Sequence, residues 1–276
     1  MADLQRPATH RSLAAPAPDL TCEIKALDTA AELIESYRLR YDVYGALGYR
    51  RRRNESKLEI DGYDSLSIPL GAFDPVSGVM IGTLRLVTTE AQPDYEYSIR
   101  CILADLGDDE LTKQALSPWQ HPLPSIISHE INRQIEAFNT ERFVVHELSR
   151  IIVHPSYRGS GVLRGLMELS FAYAARLGPA VLIGSCLPMH VPMYAKFGCK
   201  QLPHTDLELF ESVGQIANMV VCRTDELTQP TRGHVDELLR SMESSAMECT
   251  LEIGRDSRAR YRLAPPRRAR RSTIES

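Results

Sequence analysis

The chain has no uninterrupted apolar run near the roughly 20 residues that a membrane-spanning helix requires, so no integral membrane segment is expected. Its N-terminus lacks the apolar core of a signal peptide, which predicts a cytoplasmic location. Charge of one sign is also scarce: 32 Lys and Arg against 36 Asp and Glu leave a net charge of −4. That balance gives no global reason to expect a nucleic-acid partner. The six cysteines, at positions 22, 101, 186, 199, 222 and 249, include no CxxC pair. Neither a metal site nor a disulfide framework is therefore indicated, and buried reduced thiols are expected. No internal repeat is present.

What remains is an ordinary globular composition, with 276 residues of which 43% are hydrophobic, enough for one sizeable domain with appendages. Residues 1–20 are rich in Pro, Ala and polar side chains and are expected to be disordered. Residues 21–223 carry the domain. Residues 224–276 form a polar extension ending in the basic run PPRRARR, which reads as a disordered tail suited to weak binding of an acidic protein or membrane surface.

The most informative stretch is 143–177, FVVHELSRIIVHPSYRGSGVLRGLMELSFAYAARL. It opens as an apolar, β-branched strand, interrupted by Glu147, Ser149 and Arg150 where a plain core strand would carry no polar residue. The turn HPSYRGSG follows, with Gly159 and Gly161 supplying conformations that β-branched residues avoid. From Val162 the apolar spacing becomes helical. A strand, a glycine turn and a helix N-terminus together form a cradle of free N–H groups suited to a phosphate, such as that of a pantetheine arm. The alternative is a glycine-rich turn with no ligand.

This turn resembles the acyl-CoA-binding turn of the GCN5-related N-acetyltransferase (GNAT) superfamily, whose usual pattern is Gln/Arg-x-x-Gly-x-Gly/Ala. Arg158 and Gly161 match it, while Leu163 stands where Gly or Ala is usual. The resemblance implies an α/β (α+β) fold, a mixed central β-sheet flanked by helices. It also implies an acyl-thioester co-substrate, acyl carrier protein phosphopantetheine or acyl-CoA, with no permanently bound cofactor.

Elsewhere, residues 28–43 read as a helix with Asp28 as a plausible N-cap. Arginines 50–53 read as a solvated loop or as a docking patch for an acidic partner such as an acyl carrier protein. Residues 68–73 and 79–87 read as a β-hairpin, and Arg85 lies inside its second strand. A buried arginine requires a carboxylate partner, and Asp61 and Asp64 are the candidates. The insert 92–142 is less patterned. Helices are expected over 106–115 and 128–137, and the insert could supply an acyl or acceptor pocket or be a surface excursion. Residues 180–187 read as a strand parallel to the first, and 218–222 as the last strand.

The segments RYDVY at 40–44, EIDGYD at 59–64, GTLRL at 82–86 and ELSRIIV at 147–153 occur in the order seen in acyl-homoserine-lactone synthases and the related long-chain N-acyl amino acid synthases. With the turn, the likeness covers roughly residues 33–200. It implies that Arg40, Asp61, Asp64, Arg85, Glu147 and Arg150 line the active cleft; the competing reading is an ion-pair network that braces the sheet. Residues 190–198, HVPMYAKFG, resemble the superfamily's Tyr-x-x-x-Gly-Phe helix and turn. On that likeness Tyr194 protonates the leaving thiolate; otherwise it is a packed tyrosine. His190 is a base, a substrate contact or a structural residue.

Acyl transfer from a thioester to an amine needs a deprotonated amine, a polarised carbonyl and a protonated leaving sulfur. Glu147 is the candidate proton acceptor, directly or through water, although neighbouring arginines are expected to lower its pKa and weaken it as a base. Ser149 is a candidate hydrogen-bond partner of the acyl carbonyl or the acceptor. N–H groups near Ile152 and Val153 would bind the pantetheine and carbonyl, while Arg158, Gly159, Ser160, Gly161 and Val162 would face the phosphate. The expected activity is transfer of an acyl group, long-chain by resemblance, to an amino acid amine. Three alternatives stay open: acyl-homoserine-lactone synthesis with S-adenosylmethionine, short-chain CoA-dependent N-acetylation, and a non-catalytic acyl-binding module.

Overall fold

A computed structural model describes residues 20–49, 54–89, 92–118, 121–126, 128–176, 178–202, 208–210, 215–244, 248–253 and 259–264. The N-terminal segment 1–19, arginines 50–53 and the basic tail lie outside the described residues.

The described residues form ten strands and seven α-helices. The strands are β1 (Leu20–Ala26), β2 (Ser67–Phe73), β3 (Met80–Val87), β4 (Val144–Val153), β5 (Ala180–Cys186), β6 (Lys200–Gln201), β7 (Glu208–Phe210), β8 (Gln215–Arg223), β9 (Glu248–Ile253) and β10 (Ala259–Ala264). The helices are α1 (Ala30–Ala46), α2 (Pro93–Leu106), α3 (Asp109–Ala115), α4 (His129–Thr140), α5 (Val162–Ala175), α6 (Val191–Ala195) and α7 (Gln229–Ser244). The main sheet runs β10-β9-β1-β2-β3-β4-β5-β8-β6, with β7 paired to β8. All pairings are antiparallel except β4 with β5.

Strand alternation divides the core. On one face Leu84 and Leu86 of β3, Leu148 of β4 and Leu182 of β5 pack with Leu166, Leu169 and Phe171 of α5 and Val235 of α7. On the other face α1, α2 and α3 bury Leu33, Tyr37, Ile99, Ile102 and Leu111, and α4 seats Ile131 and Ile135 against Val145 and Ile183. Side chains 145, 147 and 149 therefore belong to the α1–α4 side of β4.

The helix boundaries follow capping chemistry. Helix α1 starts at Thr29, not Asp28: the Thr29 hydroxyl accepts from the Glu32 N–H in a capping box. The expected helix over 106–115 is the junction of two. Gly107, at φ 62°, ends α2, and the Asp108 carboxylate caps α3. Ser128 caps α4 in the same way.

Two features run against the sequence reading. Strand β8 is not the last strand, because the chain continues through α7 into β9 and β10, and β9 pairs with β1 at the far side of the sheet. Cys199 and Cys222 form a disulfide, brought together because Lys200 of β6 lies opposite Val221 of β8. Cys101 is an exposed thiol, while Cys22 and Cys186 are buried as expected.

Candidate active site

The parallel ladder between β4 and β5 is short. It joins Val144 to Ala180 and continues only to Glu147 opposite Ile183. Beyond that point β4 stays on β3 as far as Val153, and β5 stays on β8 through Cys186, so the two strands part. A register shift against β3 accompanies the fork: Arg85 faces Ser149 whereas Thr83 faces Ile152, which leaves one extra residue on β4. Arg150 takes up this bulge with φ 53°, a left-handed conformation that costs a non-glycine residue energy and clusters at functional sites.

The fork opens into a cavity of about 530 Å³. Glu147 to Val153 of β4 form one wall and Ser185, Cys186 and Leu187 the opposite one. Tyr194, Met193 and His190 close one end. The C-terminal turn of α1, with Tyr44 and Leu47, covers it together with Pro124 and Ser125 of the α3–α4 connection. Leu47 and Met189 are exposed at its rim.

Glu147 is 1% exposed. Its Oε2 accepts a hydrogen bond from the main-chain N–H of Ser125 at 2.8 Å. Burial pushes its carboxyl up to about 7, against smaller opposing effects of the Ser125 hydrogen bonding and the charges of Arg85 and Arg150. The expectation of a lowered pKa is thus reversed, because the arginines are already neutralised. Arg85 pairs with Asp61 at 2.6 Å and Asp64 at 3.1 Å, and Arg40 with Asp64 at 2.7 Å. Arg150 pairs with Glu59 and Asp61, both at 2.8 Å. Three guanidiniums thus meet three carboxylates and little net field reaches Glu147. Burial acts to raise the Asp61 carboxyl, yet Arg85 and Arg150 hold it well below the usual range.

Arg85 therefore has the carboxylate partners its burial demands. Arg40, Asp61, Asp64 and Arg85 do not line the cavity. They form a brace behind its wall, and Arg150 alone of the network reaches the cavity surface. Ser149 also lines it, and its Oγ accepts from Arg85 Nε at 2.9 Å. Tyr194 is buried, and burial raises its phenol, so it holds its proton at neutral pH. Burial likewise raises the Cys186 thiol to about 11. His146, beside Glu147 in β4, is buried with neither ring nitrogen hydrogen-bonded among the described residues, and burial lowers it to about 4.

At the other end of β4, Gly159 and Gly161 both have positive φ, 80° and 94°. Gly161 caps α5 without offering a side-chain acceptor, so the first-turn N–H groups keep their capacity to bind an anion. Ile152, Val153 and exposed Arg158 line the cavity, whereas Gly159, Ser160, Gly161 and Val162 lie outside its wall. The Val162 side chain is fully buried, which leaves only its main chain for a ligand.

Residues 39–168 match the family model described as an acetyltransferase (GNAT) domain. Among solved structures, FeeM, an N-acyl amino acid synthase from uncultured soil microbes, is 16% identical over 74% of this chain and 91% of its own, with a TM-score of 0.50. BjaI, a CoA-dependent acyl-homoserine lactone synthase, is 17% identical over 79% of this chain and 90% of its own, at 0.47. No curated protein sequence matches. The chain has a GNAT-like acyltransferase fold.

Within this GNAT fold, the sequence motifs indicated the β4–α5 turn and the charged network. They did not indicate Ser125, Cys186 or the α1 cover. Ser125 sits in an insert with no periodicity, and no local signal places it against a residue 22 positions later.

Proposed function

We propose that the protein is an N-acyltransferase that moves an acyl group from a thioester of CoA or of acyl carrier protein to the amine of an amino acid or similar small acceptor. The observation that carries this reading is Glu147, buried at the point where β4 and β5 part, with a carboxyl that titrates near neutrality. A general base is most effective when its pKa lies near the working pH.

The pantetheine arm enters the fork and takes up the hydrogen bonds that β4 and β5 do not exchange. Arg158 and the N–H groups of the glycine turn meet its phosphate. The apolar lining, including Leu47, Leu148, Ile151, Leu163 and Met193, receives the acyl chain. The amine nitrogen forms a bond to the acyl carbon while the carbon–sulfur bond breaks. The proton leaving nitrogen passes to Glu147, and the phenolic proton of Tyr194 passes to the departing sulfur. Solvent exchange then restores both groups.

The test combines purified protein, acyl-CoA or acyl carrier protein thioesters, and amino acids, with free thiol and product mass as readouts. Thiol release should require the acceptor, be lost in Glu147→Gln, and fall on acidification below about pH 7 as the base is protonated. An acyl-homoserine lactone formed only with S-adenosylmethionine would replace the amino acid acceptor. Absence of acceptor-dependent thiol release with every donor would leave a non-catalytic acyl-binding module.

A further inference from the structure

We propose that the Ser125 hydroxyl is a second ligand of the acceptor nitrogen, and that with Glu147 it makes the site selective for primary amines. The inference rests on the acyltransferase reading above.

Ser125 is 1% exposed and lines the cavity. Leu123 and Ile126, both buried in the cluster that holds Val145 and Ile183, fix its position. The Ile126 N–H closes the turn on Leu123 O at 3.2 Å. The Ser125 main-chain N–H is committed to Glu147 Oε2. Its Oγ, by contrast, makes no hydrogen bond of good geometry among the described residues. The hydroxyl proton can only lean toward the Glu147 carboxylate, which it helps hold down, and the oxygen lone pairs accept from no described donor. A buried hydroxyl so poorly partnered is unfavourable, and here it adjoins the carboxylate that takes the proton. Ser149 cannot fill the same role as freely, because its Oγ already accepts from Arg85 Nε. The acceptor subsite therefore presents two oxygen acceptors side by side, Glu147 and Ser125 Oγ. The nitrogen of a primary amine has one N–H for each. The nitrogen of a secondary amine has only the one it must give to Glu147.

The experiment compares Ser125→Ala with wild type, using glycine and its N-methyl derivative as acceptors. In wild type the primary amine should be preferred by roughly tenfold, the worth of one hydrogen bond. In Ser125→Ala the KM for glycine should rise by about that factor and the preference should collapse. The KM for the thioester should stay unchanged, while the acid limb of the pH profile should move to higher pH, because the Ser125 side chain helps its main-chain N–H hold the Glu147 carboxyl down. A merely structural role would lower kcat for both acceptors alike and leave the preference between them intact. Equal use of the two acceptors by wild type, or an unchanged glycine KM in the variant, overturns the inference while leaving the acyltransferase reading intact. The wild-type comparison decides the matter even if the variant fails to fold. No turnover by wild type with every donor, of these two amines or of the other amino acids paired with their N-methyl derivatives, overturns both.

Discussion

Exchange of Glu147 for glutamine should abolish acyl transfer and at the same time raise thermal stability above neutral pH. The carboxyl titrates near 7 in the fold against 4.5 for the free group. At about 1.4 kcal/mol per tenfold change in proton concentration, keeping it ionised in the folded chain costs about 3 kcal/mol. The sign follows from proton binding. Between 4.5 and about 7 the folded chain retains a proton that the unfolded chain releases, so stability falls as pH rises through that window, and the full penalty applies above it. Glutamine is neutral throughout and still offers an oxygen to the Ser125 N–H. The two proteins should therefore melt together near pH 4 and diverge with rising pH. At roughly 2 °C per kcal/mol for a chain of this size, the variant should gain about 6 °C by pH 9. Differential scanning fluorimetry of both proteins from pH 4 to 9 reads this directly, and every other titrating group cancels in the difference. A gap that does not change with pH, or a variant that melts lower at pH 9, would refute the argument that burial governs Glu147.

Other consequences concern the brace and the turn. Asp64→Ala removes the carboxylate that pairs with both Arg40 and Arg85 and should cost about 3–5 kcal/mol in urea unfolding; a loss below about 1 kcal/mol would mean that Asp61 and Glu59 suffice. In Gly82→Ala the new Cβ would lie 2.8 Å from Val162 Cγ1 and 3.2 Å from Ile152 O. That crowding should destabilise by about 1–3 kcal/mol and raise the thioester KM by displacing the first turn of α5. An unchanged KM would show that this turn does not contact the donor.

The strand–turn–helix unit of β4 and α5 was determined by sequence alone, because each part depends on near neighbours: β-branched residues, two glycines with positive φ, and apolar spacing at helical period. The need of Arg85 for carboxylates was equally legible, since a buried guanidinium imposes it wherever the arginine lies. Local patterning did not carry the double-helix character of the insert, where a glycine and an aspartate meet at 107 and 108, or the return of the chain after α7 to pair with β1. Tertiary structure alone decided the electrostatics of the site. Arginine beside glutamate in a sequence suggests a lowered carboxyl pKa. The fold brings Glu59, Asp61 and Asp64 across intervals of 21 to 91 residues to neutralise the arginines first, and leaves burial to raise Glu147. Charge balance and desolvation depend on which distant residues meet, and only the packed sheet sets that.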